Sequence, residues 1–234
     1  VSGWDMKRLH REIVLSATYQ QCSVIRSADA ALDPDNRWLS RFSRRSMRAE
    51  VIRDFSLVTS GLLDDRLGGP SVMPPQPSGL WDELSFQSGH TAQEYRESLG
   101  GDTFRRSIYT FWKRSCPPPN MTILDASERE VCSVRRSATN TPLQALVMMN
   151  DRCFTVPSVH LAWKIHNEYP TRSDEAIVAM FAQYHGRSPM PNEMLAFRRL
   201  YANARKHWQG SDYRGFVDQQ IPGLIRGSDE TLLE

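Results

Sequence analysis

A stretch rich in glycine and proline separates two regions of helical periodicity. Residues 64–79 read DDRLGGPSVMPPQPSG. Proline lacks the backbone N–H that helices and inner strands need, and glycine favours turns, so this stretch is predicted to be a long loop. So much unpatterned chain inside a compact domain is typical of ordered loops packed across a helical body, or of a functional surface.

Two helices are predicted before the loop. Asp5 can cap the first helix and Ser46 can cap the second. The second helix is indicated by apolar residues at spacings of three and four, which are Met47, Val51, Phe55, Val58 and Leu62. This spacing is typical of a helix with one apolar face.

Four more helices are predicted after the loop. At Thr141-Pro142-Leu143-Gln144, a capping threonine precedes proline at the first helical position, and the glutamine can return the capping-box hydrogen bond. The other three helices are predicted at about residues 157–167, from Ser173 to a C-cap at Gly186, and from Pro191 onward.

The intervening chain has little helical character. The stretch from Arg106 to Lys113 is rich in aromatic and β-branched residues, which predicts one short strand. The fold class is therefore predicted to be mainly α: an irregular helical domain with long ordered loops and at most a short β element.

Composition excludes several classes of protein. The 234 residues carry a net charge of only +2, which argues against a dedicated nucleic-acid binder. No apolar run approaches the roughly 18 to 20 residues of a membrane span. The four cysteines, Cys22, Cys116, Cys132 and Cys153, show neither C-x-x-C nor C-x-x-C-H spacing. Neither a metal site nor covalently attached haem is therefore expected in this chain.

Two polar clusters are candidate sites. Asp125, Glu128 and Glu130 lie with Cys132 within eight residues and could supply a general acid, a base or a ligand set for a hard metal ion, although carboxylates in such a loop are common without any activity. Cys132 could also be a reactive thiol. An arginine patch interleaved with aromatic residues runs from Arg37 to Arg53 and could bind phosphate or stacked bases. The alternative interpretation of this patch is a solvated helix face.

Three stretches of the central chain are distinctive in order and spacing. They are RRSIYTFWKR from Arg105, REVCSVRR from Arg129 and TNTPLQAL from Thr139. Together they closely resemble the planctomycete cytochrome-c-associated domain of unknown function, also called the PSD-type domain. Supporting matches include Gly3-Trp4, Arg53-Asp54, Gly68-Gly69-Pro70 and the closing Asp229-Glu230-Thr231.

The resemblance covers nearly the whole chain and implies one N-terminally truncated domain over residues 1–234. Its expected parts are a helical part at 1–62, a loop-rich centre at 63–140, a helical part at 141–209 and a C-terminal segment at 210–234. The family supplies no established activity. The polar positions that match it mark where a site is expected: Arg106, Asp125, Glu130, Cys132, Arg135, Arg136 and Asn140.

The resemblance also implies a cellular setting. The parent proteins are expected to be large, exported and extracytoplasmic, in the periplasm or at the cell surface, with a c-type haem module in an upstream domain. Expected partners are the upstream domains, an extracytoplasmic protein or a polysaccharide. We therefore expect a non-catalytic scaffold or binding module. The alternatives are an extracytoplasmic enzyme or carbohydrate-processing component with a site in the central loops, and anion or nucleic-acid binding through the Arg37–Arg53 patch.

Overall fold

Helices carry the regular structure in the computed structural model of the chain, in which residues 3–81, 94–132 and 134–208 are described. Across these residues there are eight α-helices: α1 Met6–Val14, α2 Ser27–Leu32, α3 Ala49–Ser60, α4 Pro119–Ile123, α5 Pro142–Asn150, α6 Arg152–Glu168, α7 Ser173–His185 and α8 Pro191–Trp208. The same residues contain isolated β-bridges but no sheet. The prediction of a mainly α fold is confirmed.

The chain divides into two compact units, residues 1–47 and 48–234. In the first unit, the buried Asp33 accepts hydrogen bonds from the backbone N–H groups of Arg37 and Trp38 at 2.8 and 2.7 Å. These bonds lower the pKa of Asp33, with the Trp38 bond contributing most. The single domain over residues 1–234 stays a prediction. The C-terminal segment at 210–234 and the match at Asp229-Glu230-Thr231 lie outside the described residues.

Most predicted helix boundaries are confirmed. Asp5 caps α1. At α5 the full capping box forms: Thr141 accepts from the backbone of Gln144, whose side chain accepts from the backbone N–H of Thr141. Helix α7 ends at Gly186, whose φ of 65° belongs to the left-handed region that glycine tolerates. The loop predicted at 64–79 is also irregular in the structure.

Two helix starts differ from the prediction. Helix α3 begins at Ala49 and Ser46 does not cap it. Helix α6 begins at Arg152, five residues before Pro157, so the predicted start at Pro157 is wrong. Asp151 caps α6 by accepting from the Cys153 N–H at 2.8 Å. The turn that this cap starts places Cys153 and Phe154 in the core, and their burial offsets the cost of a proline inside the helix.

The buried face of α3 also differs from the apolar pattern. Met47, Val51 and Val58 are about half exposed. The buried positions of the helix are Ala49, Arg53, Ser56, Leu57, Thr59 and Ser60. Small residues allow close helix packing, and α3 packs more extensively against α6 than against any other described helix. Hydrophobicity alone therefore indicates the wrong face of α3.

The strand predicted between Arg106 and Lys113 does not form. The stretch instead contains a 3₁₀ helix, Ser107–Tyr109, and another 3₁₀ helix, Gly100–Phe104, lies just before it. Thr110 forms an isolated bridge with Val72 of the 64–79 loop, in which Val72 donates its N–H to the Tyr109 carbonyl and accepts from the Phe111 N–H, both at 2.8 Å. A second isolated bridge joins Arg105 to Asp64. The Thr103 and Arg105 carbonyls are bonded by the Arg53 side chain, so they are not paired with a neighbouring strand.

The core of the second unit lies where α3, α4 and α6 meet. Its buried side chains are Ala49, Met121, Leu124, Cys153 and Phe154, and Ile52, Trp112, Ala126 and Val147 pack around them. Further along α6, Leu161 is 1% exposed and Ile165 is 7% exposed. Helix α6 therefore carries much of the burial that orders this unit.

Replacing Leu161 with alanine should leave a cavity in α6 and lower the free energy of unfolding by about 2–5 kcal/mol. Leu200 on α8 is 63% exposed and provides the matched control. Leu200→Ala should cost less than about 0.5 kcal/mol. Urea unfolding followed by circular dichroism measures both variants, and equal losses would contradict this assignment of the core.

Candidate functional site

The seven polar residues predicted to mark a site do not form one cluster. Five of them are exposed: Arg106, Glu130, Cys132, Arg135 and Asn140. Asp125 and Arg136 are partly buried. Across the described part of the chain, no hydrogen bond or ion pair joins any two of the seven. Asp125 and Arg136 each bind other residues instead.

Hydrogen bonds to Asp125 hold the segment before α5 in place. Its carboxylate accepts from the Thr139 N–H at 2.7 Å, from the Thr139 hydroxyl at 2.8 Å and from Gln144 Nε2 at 3.2 Å. These bonds, the Thr139 N–H first, lower the pKa of Asp125. The backbone of Asp125 is left-handed, with a φ of 63°. Asp125 is therefore ionised and held in place by three donors.

An ion pair between Arg136 and Glu50 holds the same segment against α3. Its Nη1 atom donates to both carboxylate oxygens of Glu50, at 3.0 and 2.8 Å. Burial raises the pKa of Glu50, but its own backbone N–H and the Arg136 guanidinium outweigh burial, so the pKa lies below its usual value. The Arg136–Glu50 pair links two segments that are 86 residues apart in sequence.

An exposed segment lies between Asp125 and Arg136. Trp112 holds its start: the indole N–H donates to the Glu128 carbonyl at 3.2 Å, and the Arg129 guanidinium lies 4.4 Å from the centre of the Trp112 ring. Beyond this point Val131 is 80% exposed and Val134 is fully exposed. We call residues 128–135, which are described except for Ser133, the exposed loop.

The predicted surface patch of arginines from Arg37 to Arg53 is wrong for Arg53, which is buried. In the first unit Arg37, Arg44 and Arg45 are exposed, and Arg41 donates to the carbonyls of Asp33 and Pro34. In the second unit Arg48 is exposed, but Arg53 is only 2% exposed. Arg53 lies on the packed side of α3 and contributes nothing to a surface.

Arg53 is the centre of a polar arrangement that the sequence pattern missed. Its Nη1 atom donates to the Arg105 carbonyl at 2.9 Å and to the Ser107 hydroxyl at 3.2 Å. Its Nη2 atom donates to the Thr103 carbonyl at 2.8 Å. Arg53 therefore ties α3 to both 3₁₀ helices. One signal could have found it: Arg53 shares a helical spacing with the small residues Ala49, Ser56 and Ser60.

A second buried arginine organises the neighbouring loop. Arg105 is 3% exposed and donates to the carbonyls of Arg66, Gly68 and Pro70. Its guanidinium also lies 4.0 Å from the centre of the Tyr109 ring. Because backbone carbonyls carry partial negative charge, they can satisfy a guanidinium without any carboxylate. Arg105 thereby orders the Gly68-Gly69-Pro70 turn.

A pocket lies beside Arg53. It has a volume of about 230 Å³, including the part open to solvent. Its lining comes from α3, α4, α6 and the central loops, and includes Arg53, Gln76, Tyr95, Thr110 and Cys153. Burial raises the pKa of the Cys153 thiol to about 12, so Cys153 is neutral at physiological pH. We call this pocket the Arg53 pocket.

The described residues show neither a metal cluster nor a membrane span. Within residues 3–81, 94–132 and 134–208, no three His, Cys, Asp or Glu side chains come together as metal ligands. None of the described helices combines the length and the apolar character that crossing a bilayer requires.

The fold and these contacts define a mainly helical domain whose irregular centre is fastened by buried and partly buried arginines. A family model described as PSD1, Protein of unknown function (DUF1553), matches residues 1–201. The chain belongs to this family. No curated protein and no solved structure matches it.

The hydrogen bonds to the Asp125 carboxylate should make the free energy of unfolding depend on pH. A carboxyl pKa that is lower in the folded state contributes stability above the unfolded pKa of about 4 and loses it as pH falls through the folded value. Asp125→Asn removes this titration while keeping a residue that tolerates a left-handed backbone. Between about pH 6 and pH 3, wild type should therefore lose more free energy of unfolding than the variant.

Urea unfolding at each pH measures this difference. Asp65 is an exposed carboxylate in the central loop and supplies the control. Asp65→Asn should follow the wild-type pH profile. A wild-type profile from Asp125→Asn would show that the three hydrogen bonds do not favour the ionised form of Asp125 enough to affect stability.

Proposed function

We propose that this domain is a non-catalytic binding module that contacts its partner through the exposed loop. The observation that carries the proposal is the geometry of this loop. Trp112 holds its start, and the Arg136–Glu50 pair holds the chain directly after it. Between these points the loop exposes Val131 and Val134. A segment fixed at both ends pays less conformational entropy on binding than a free one.

The charged residues around the loop support a structural role. Asp125 binds Thr139 and Gln144, and Arg136 binds Glu50, so neither directs its charge at a second candidate for catalysis. A general acid and base would need a shared cleft within hydrogen-bond reach of a substrate. The central-loop enzyme alternative therefore gains no support from the described contacts.

The surface of the loop suits contact with another macromolecule. Exposed valines can be desolvated on contact, while Glu130 and Arg135 supply charges of both signs at their edge. We propose that the partner is a neighbouring domain of the same polypeptide or an extracytoplasmic component, either a protein or a polysaccharide. The family resemblance supports an exported multidomain parent, with haem c carried by another domain.

Site-specific photocrosslinking in the intact parent protein, in its native cells, tests this function. A photoreactive residue replaces Val131, and the control replaces Leu200, which is also exposed but lies on α8. We expect the Val131 position to crosslink to one defined segment of a neighbouring domain or one envelope component, several-fold more than the Leu200 position. Mass spectrometry identifies the linked segment.

Two results would overturn the proposal. Equal crosslinking from Val131 and Leu200 would show that the loop is not a contact surface. Reproducible turnover by the parent protein that is abolished by Asp125→Ala or Glu130→Ala would show that the central loops are catalytic.

A further inference from the structure

Helix α8 extends past α7, the described helix against which it packs most extensively. The two helices are antiparallel. Arg187, just after the end of α7, donates to Glu193 near the start of α8 at 2.8 Å. Arg198 donates to Asp174, the second residue of α7, also at 2.8 Å. Residues 201–208 of α8 therefore run beyond the start of α7, over about 12 Å. We call these residues the α8 extension.

The apolar stripe of α8 continues into the α8 extension. Its residues follow one another at spacings of three and four, which is typical of a helix face that packs against another segment; they are Met194, Phe197, Tyr201, Ala204 and Trp208. Beside α7 the stripe is in use, because the Phe197 ring lies 5.7 Å from the Phe181 ring, centre to centre. In the extension Tyr201 is 47% exposed. This part of the stripe is therefore a surface that another segment can cover.

The cations of α8 indicate that the covering segment is acidic. Arg199, Arg205 and Lys206 are exposed, and none of them has a hydrogen bond or an ion pair with another described residue. Two of the three lie in the α8 extension. A segment that covers Tyr201 would be attracted to these cations if it carried carboxylates.

The stretch of chain directly after α8 has this chemistry. Residues 209–234 hold more acidic than basic side chains: Asp212, Asp218, Asp229, Glu230 and Glu234 against Arg214 and Arg226. The same stretch holds large apolar side chains, which are Tyr213, Phe216, Val217, Ile221, Leu224 and Ile225. Both its charge and its apolar character are complementary to the α8 extension.

The position of this stretch in the sequence favours contact within one molecule. It begins at the residue after Trp208, so only a short loop must close, and short flexible loops cost less entropy than long ones. Gly210 suits a reversal of the chain just after a helix. Two α8 extensions packed on each other would instead bring Arg205 and Lys206 against like charges.

We propose that residues 209–234, which lie outside the described residues, dock on the α8 extension of the same chain. Their apolar side chains cover Tyr201, and their carboxylates lie beside Arg205 and Lys206. The apolar stripe of α8 is then an internal contact along its whole length. This inference does not depend on the function proposed for the exposed loop.

Native-state amide hydrogen exchange of the full chain, read by mass spectrometry, tests the docking. Amides of residues 213–225 should exchange at least about tenfold more slowly than in an unstructured peptide. Tyr201→Ala keeps a good helix former and removes the aromatic contact, so it should lower this protection about fivefold. Leu195 is 49% exposed, off the stripe and beside α7, and Leu195→Ala should keep the wild-type protection.

Salt tests the charged part of the contact. In the wild type, the protection of residues 213–225 should fall as salt rises from about 0.05 M to about 0.5 M, because salt screens exposed charges. A double variant, Arg205→Gln with Lys206→Gln, removes both cations and keeps good helix formers. Its protection should be lower at low salt and should change little as salt is added.

Any of four results contradicts the proposal. Exchange of residues 213–225 at the rate of an unstructured peptide would show that the segment does not dock. Equal protection in wild type and Tyr201→Ala would place its contact elsewhere. Protection that disappears on tenfold dilution would show that a second copy supplies the segment. A salt dependence that survives the double substitution would show that Arg205 and Lys206 do not face the carboxylates.

Discussion

The hydrogen bonds of one buried arginine hold the irregular centre of this domain against its helices. Arg53 reaches from α3 to the carbonyls of Thr103 and Arg105 and to the Ser107 hydroxyl, about fifty residues away in sequence. A lysine could not replace these contacts, because the planar guanidinium offers several donors in a fixed arrangement. Both 3₁₀ helices therefore have a defined position on α3 although they have no sheet partner.

Other polar contacts extend the same arrangement through the central loops. Arg105 orders the glycine-rich turn through backbone carbonyls, and Tyr109 adds a hydrogen bond from the Gly68 N–H at 2.7 Å. Asp125 and Arg136 fix the chain around the exposed loop. Chain that buries few apolar side chains is thus ordered by hydrogen bonds to carbonyls and carboxylates.

Local signals predicted six of the eight described α-helices, missing the short helices α2 and α4. The long-range polar contacts were not predicted. The capping box at Thr141 and the C-cap at Gly186 are set by neighbouring residues, so both could be read from the sequence. The spacing of Arg53 with small residues could indicate the packed side of α3, but the acceptors of Arg53 could not be predicted, since they lie in a loop whose position depends on Arg53 itself. The same holds for Asp125, because its partners Thr139 and Gln144 are 14 and 19 residues away in sequence and only the fold brings them to it.

Native-state amide hydrogen exchange of Arg53→Lys tests most directly whether Arg53 orders the centre. Arg48→Lys, an exposed arginine just before α3, is the control. The account predicts that in Arg53→Lys the amides of residues 103–110 exchange at least about tenfold faster relative to those of α6, the difference that a loss of about 1.4 kcal/mol in local stability produces. Protection at residues 103–110 equal to that in wild type and in Arg48→Lys would contradict it.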